Sequence, residues 1–249
     1  MMLFPERLRS GARLVATFSM IDSPAIVELL ASAGFDAVVL DTEHGPIGPE
    51  TLNVLIPAAR AAGIAPLVRV RTNDPSLIGG ALDVGAAAVV VPQIDSGAAA
   101  AAAVAAARFG PEGSRGANPY VRAAGYHGDA GWFARANREI AVLLMVEGTG
   151  GIAALPEILA TPGVDAIFIG PFDLSQAMGV PGQVEHPDVL ARITAIVAEA
   201  GARGVATAVF APTPALARRW FELGARLVAL GFDTALALDG FRAARQGLD

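Results

Sequence analysis

Apolar runs rich in Val, Ile and Leu recur along the chain, separated by Ala/Leu-rich amphipathic stretches. The runs at 14–20, 37–41, 66–70, 87–92, 141–147, 166–169, 206–210 and 227–231 predict strands. The stretches at 24–33, 49–62, 75–84, 97–108, 152–159, 187–203, 214–223 and 234–245 predict helices. Many helices open on a polar residue followed by proline, as at Asp74-Pro75 and Thr213-Pro214. Proline suits the first helical position because an N–H there has no partner anyway. The strand runs are continuous rather than alternating, as expected of strands covered on both faces. Eight strand–helix pairs in 249 residues predict one α/β domain over residues 1–249, a (β/α)8 TIM barrel. A doubly wound open sheet is the alternative, but no Gly-rich fingerprint follows the first strand.

Two connections interrupt the rhythm. Residues 110–139 are Gly-rich and carry four of the 18 basic residues together with Tyr120, Tyr126, His127 and Trp132. A segment this long inside a compact domain is usually functional or disordered, and its arginines and aromatics predict an active-site cover or an oligomer contact. The second, 174–186, follows Asp173 and is a further candidate to shape the site.

Composition narrows the function. A net charge of −6 without any basic cluster argues against nucleic acid or an anionic membrane as partner. The alanine-rich stretch 98–107 is too short to span a bilayer, and the N-terminus lacks a signal-peptide core, so a cytoplasmic location is expected. With no cysteine there are no disulfides or thiolate metal sites. Lysine is absent too, which rules out a lysine Schiff base.

Barrel chemistry gathers at the C-terminal ends of strands, where this sequence places Asp41, Glu43 and His44, then Arg69, Gln93, Glu147 and Asp173. Glu147 closes one run, and Asp173 follows another through Gly170-Pro171-Phe172. A βαβ unit sets the two acids side by side, as a hydrogen-bonded structural pair or as a hard-cation site for Mg²⁺ or Mn²⁺. Asp41 precedes His44 by three residues; the imidazole is either a general acid/base oriented by the carboxylate or a loop cap. Arg69 lies within the apolar LVRV pattern and needs an anion, which a substrate or Asp41 or Glu43 can supply.

Several segments resemble the HpcH/HpaI class II pyruvate aldolases: VLDTEHG at 39–45, LVRV at 67–70, VVVPQ at 89–93, GPEGSRG at 110–116, VE at 146–147 and GVDAIFIGPFDLSQAMG at 163–179. The resemblance covers nearly the whole chain. It implies a barrel whose last helix is exchanged between subunits, within a hexamer built as a trimer of dimers. It implies that Glu147 and Asp173 bind a divalent cation, Mg²⁺ or Mn²⁺, with Co²⁺ a further candidate. It gives Arg69 the enolate oxygen, His44 supported by Asp41 the acid/base role, and the main chain after Gly170-Pro171 the substrate carboxylate. The implied reaction is reversible cleavage of a 4-hydroxy-2-oxo acid to pyruvate, or a related 2-oxo acid such as hydroxypyruvate, and an aldehyde through a metal-stabilised enolate.

Two positions depart from the family pattern. Met145 stands where many relatives carry glutamine, and Phe172 replaces a common alanine, so both bear on the substrate. Arg115 and Arg122 are expected to receive the aldehyde end, and Asp83 to reach a neighbour's His/Asp pair. Glu43 and Gln93 complete the candidate rim. A citrate-synthase-like or acyl-CoA lyase-like activity is the alternative, and a non-catalytic binding barrel the third reading.

Overall fold

A computed structural model of the chain describes residues 2–246 and 248. The order is α1 (Phe4–Arg9), β1 (Leu14–Ser19), α2 (Pro24–Ser32), β2 (Ala37–Asp41), α3 (Pro49–Ala62), β3 (Ala65–Arg69), α4 (Pro75–Val84), β4 (Ala88–Val91) and α5 (Gly97–Ala107). After a 3-10 turn at Arg122–Ala124 come α6 (Trp132–Glu139), β5 (Ala141–Val146), α7 (Thr149–Ala153), α8 (Leu155–Ala160), β6 (Ala166–Ile169) and α9 (Pro171–Ala177). The chain continues through α10 (Pro187–Ala202), β7 (Ala206–Ala211), α11 (Pro214–Leu223), β8 (Leu227–Phe232) and α12 (Asp233–Arg245). The eight strands pair in sequence order, all parallel, and β8 closes on β1. This is the expected (β/α)8 barrel, and the open-sheet alternative is excluded.

Both faces of each strand are covered, which is why the apolar runs are continuous. Ala16, Phe18, Val39, Leu67, Val90, Leu143, Met145, Phe168 and Phe210 fill the barrel interior. The intervening positions, among them Val38, Leu40, Val68, Val89, Leu144 and Ile167, pack under the helices. Burying one such side chain contributes about 1.5–3 kcal/mol.

Helix α1 was not foreseen. It sends Phe4 and Leu8 into the interior cluster from the N-terminal face. Arg7 pairs with Asp36 at 2.5 Å and Arg9 with Asp165 at 2.6 Å, and both acids stand just before a strand. The helix expected at 152–159 is two short ones broken at Ala154, because Pro156 occupies the first turn of α8, where its missing N–H costs least. Residue Pro171 similarly opens α9 inside what read as a loop.

The 110–139 connection lies at the opposite end from the strand C-termini. A segment that leaves α5 must enter β5 at its start, so it belongs to the N-terminal face. Phe109, Trp132 and Phe133 form a small core of their own there, with ring centroids about 5 Å apart. Within one chain this corrects the expected active-site cover. Among the described residues no helix is long and apolar enough to cross a membrane.

Candidate active site

Inward-facing positions alternate along each strand, and the last of them before the mouth carries the chemistry. Asp41 follows Val39 on β2 and Arg69 follows Leu67 on β3, and the two are register partners. Arg69 donates Nε to Asp41 Oδ1 at 2.9 Å and Nη2 to Oδ2 at 2.7 Å, a bidentate fork with no exposure at Asp41. Arg69 Nη1 reaches Glu43 Oε2 at 3.1 Å, and the guanidinium carbon stands 4.7 Å over the Phe18 ring.

The expected Asp41–His44 side-chain pair does not form. Asp41 Oδ1 instead accepts the backbone N–H of Glu43 at 3.1 Å and of His44 at 3.4 Å. The buried guanidinium claims both carboxylate oxygens. The His44 ring projects into the mouth, its side chain 64% exposed, and Glu43 Oε2 stands 4.0 Å from its Nε2.

Glu147 follows Met145 with the same inward parity. Its Oε1 accepts the backbone N–H of Gln93 at 2.9 Å. Gln93 holds a left-handed φ of 56°, which a non-glycine residue adopts at a cost of roughly 1–2 kcal/mol. Sequence reasoning marked Gln93 by its side chain, but its main chain meets the site residue. The other Glu147 oxygen, Oε2, lies toward Gly170. A Cβ built on Gly170 would stand 3.2 Å from Glu147 Oε2 and 3.6 Å from Asp173 Oδ2. Glycine at 170 thus opens a cradle onto which both carboxylates converge. Burial, then the nearby Asp173 charge, push the Glu147 carboxyl above its ordinary value of 4.5, against the pull of the Gln93 N–H. Burial likewise raises Glu43, with Arg69 and His44 opposing.

Two adjoining cavities share His44 and Asp173. One, of about 380 Å³, is bordered by Glu43, Gln93, Glu147 and Gln176. The other, of about 260 Å³, is bordered by Arg69, Gly170, Pro171 and a wall of Phe18, Phe168, Phe172, Phe210 and Phe232. Phe172, at the start of α9, was marked in the sequence, but Phe18, Phe168, Phe210 and Phe232 escaped it because they lie on separate strands. The signal was inward parity: Phe18, Phe168 and Phe210 each occupy the last interior position of their strand.

Other candidates lie elsewhere. Met145 is buried in the barrel interior one inward step before Glu147 and borders neither mouth cavity. Arg115 is buried toward the N-terminal face, donating to Asp83 at 2.6 Å and stacking 4.4 Å over Phe109. Arg122 lies over Tyr126 in the same connection. In this chain Arg115, Arg122 and Asp83 therefore do not meet His44. Asp233, another strand-end acid, ties β8 to β1, accepting from Ser19 Oγ and the N–H groups of Met20 and Ile21.

Residues 14–240 match the family model for HpcH/HpaI aldolase/citrate lyase. The chain belongs to the HpcH/HpaI family. It is 38% identical to 5-keto-4-deoxy-D-glucarate aldolase of Salmonella paratyphi C (strain RKS4594), covering 99% of this chain and 96% of that protein. An HpcH/HpaI family protein from Burkholderia cenocepacia J2315 superposes with a TM-score of 0.92 at 35% identity, over 97% of each chain. The citrate synthase SbnG superposes with a TM-score of 0.87 at 31% identity, over 97% of this chain and 95% of that one. For this HpcH/HpaI member the paired acids, the buried arginine and the exposed histidine thus lie at the mouth of a barrel shared with carbon–carbon bond-making and bond-breaking enzymes.

Proposed function

We propose that the protein is a divalent-cation-dependent aldolase. It reversibly cleaves 4-hydroxy-2-oxo acids to pyruvate, or a related 2-oxo acid such as hydroxypyruvate, and an aldehyde. The observation that carries this reading is the convergence of Glu147 and Asp173 on Gly170 beside buried Arg69. Two carboxylates without a protein nitrogen suit Mg²⁺, Mn²⁺ or Co²⁺ with coordination positions left for substrate.

A cation held by Glu147 and Asp173 supplies Lewis acidity to the 2-oxo acid. The chain does the rest. The start of α9 at Gly170-Pro171 receives the substrate carboxylate. His44, exposed at the mouth, takes the proton of the 4-hydroxyl. As the C3–C4 bond breaks, its electron pair moves toward the ketone oxygen, where Arg69 offers a fixed positive charge, and the proton held by His44 then returns to C3 to give the 2-oxo acid. Asp41 holds that guanidinium in place, so little reorganisation is needed. The phenylalanine wall lowers the local dielectric and strengthens the attraction. Lysine, the usual alternative electron sink, does not occur in the sequence.

The 38% identical sugar-acid aldolase supports this reading. The kinship with SbnG favours a second one, a citrate-synthase-like or acyl-CoA lyase-like reaction on a 2-oxo acid. Assembly into a hexamer of swapped dimers is supported by α12, whose Leu236, Leu238 and Phe241 lie exposed. The test is pyruvate release from 4-hydroxy-2-oxo acids, including 5-keto-4-deoxy-D-glucarate, before and after chelation. Turnover lost to EDTA and restored by Mg²⁺ or Mn²⁺ is expected. Turnover indifferent to EDTA, or condensation of acetyl-CoA with oxaloacetate in its place, contradicts the aldolase reading.

A further inference from the structure

A cavity separate from both mouth cavities lies on the outside of the barrel, between α3 and α4. Its volume of about 390 Å³ falls in the range of small-molecule sites. Ile47, Leu52, Val68, Val70 and Val84 wall it, and among the described residues no aromatic ring or carboxylate lines it. Ile47, Val68 and Val70 are at most 2% exposed, so the slot runs inward past the helices. A slender alkyl chain reaches that depth, and a flat partner surface does not. Gly80 lines the cavity from the middle of α4, and a Cβ built there meets nothing within 4 Å. Glycine inside a helix is less stable than alanine, so here it leaves room rather than avoiding a clash. Arg71 is the charged residue at the lip. Its Nε donates to the Thr42 carbonyl oxygen at 3.1 Å, and among the described residues its two Nη groups have no partner. The rim hydroxyls are spent: Thr42 Oγ1 donates to the Arg69 carbonyl oxygen at 2.7 Å, and Ser76 Oγ donates to Asp74. The free charged donors are thus those of one guanidinium, in a cavity without an acid, on a chain of net charge −6.

We infer that this cavity binds a medium-chain aliphatic monocarboxylate, its alkyl chain between α3 and α4 and its carboxylate on Arg71. A guanidinium fork suits a carboxylate. Walls of branched aliphatic side chains suit an alkyl tail, whose burial supplies the rest of the affinity. The site does not depend on the aldolase reading. Its occupant nonetheless meets the mouth from behind. Val68 and Val70 flank Arg69 in sequence, and Thr42 and Ile47 bracket the turn that carries Glu43 and His44. An occupied cavity is therefore expected to alter turnover.

The test titrates the full chain with octanoate by calorimetry, with octanamide as the uncharged counterpart and acetate as the tailless one. One octanoate per chain is expected, with a Kd of about 0.1–1 mM. Octanamide and acetate should each bind about 10-fold more weakly or worse, and Arg71→Ala should weaken octanoate by about 10-fold. Gly80→Leu places a side chain in the cavity and is expected to abolish binding while keeping the circular dichroism and thermal midpoint of the parent. Octanoate should change kcat/KM for pyruvate release by about two-fold or more in the parent and leave it unchanged in Gly80→Leu. Octanoate binding that survives Gly80→Leu, or octanamide binding as tightly as octanoate, overturns the assignment. No binding up to about 10 mM overturns it too, and a smaller assembly of Gly80→Leu in sedimentation then makes a second copy of the chain the occupant. Binding without a kinetic effect refutes the link to the mouth. If the parent cleaves no 4-hydroxy-2-oxo acid, the functional reading fails, and the titrations still decide the site.

Discussion

From β2 round to β5, inward positions at the barrel mouth carry Asp41, Arg69 and Glu147, with Gln93 contributing its main chain. From β6 round to β1 they carry Phe168, Phe210, Phe232 and Phe18, with neighbouring ring centroids 5.0 to 6.1 Å apart. The backbone scaffold is the same in both arcs, and only the side chains differ. The polar arc holds charges that are costly to bury, so each is tied by geometry: a bidentate fork on Asp41, a strained N–H on Glu147. The aromatic arc brings apolar burial and needs no such ties. The arcs meet where the Arg69 guanidinium lies over Phe18. Neither suffices alone, since a charge array open to water is weak and a dry wall without charges performs no proton or electron chemistry.

Truncation in each arc separates the two modes of stabilisation most strongly. Asp41→Ala removes the bidentate partner of a buried guanidinium, leaving it Glu43 alone, and is expected to cost about 3–5 kcal/mol in denaturant unfolding. Adding Arg69→Met to it should recover most of that loss. Phe168→Ala costs a similar amount, about 3–5 kcal/mol, through the cavity it leaves, and Arg69→Met does not rescue it. Rescue in both backgrounds or in neither would erase the distinction between the arcs.

A smaller effect is expected where the polar arc is strained. Gln93→Gly relieves the left-handed backbone and should raise stability by up to about 1 kcal/mol while keeping the N–H on Glu147. A loss of stability would show that the Gln93 side chain, rather than its main chain, matters.

The polar arc was far more legible in the sequence than the aromatic one. Asp41, Arg69, Glu147 and Asp173 stand out because charge at the end of an apolar run is locally conspicuous. A phenylalanine inside an apolar run is not, and its role depends on closure of the barrel. The strands were readable for the same local reason, as buried β-branched runs. Helix α1 was missed because FPERLR is too short to show periodicity. The salt bridge of Arg69 to Asp41 and Glu43 was one of the readings the apolar LVRV pattern offered, and strand register delivers it, whereas the Asp41–His44 side-chain pair suggested by spacing does not form within one chain. The 110–139 connection was left between active-site cover and oligomer contact, and topology removes the first within one chain, because composition does not say which face of a barrel a loop occupies.

The central claim is that Glu147 and Asp173 share one cation, and calorimetric titration with Mn²⁺ at several pH values tests it most directly. The Glu147 carboxyl is raised above 4.5 and a cation requires it ionised, so affinity should weaken as pH falls toward that raised value. Over that window binding should release protons, seen as a heat that varies with the buffer. One ion per chain is expected for the parent, and none for Glu147→Gln combined with Asp173→Asn. Equal Mn²⁺ binding by parent and double variant, with no proton release, would contradict it.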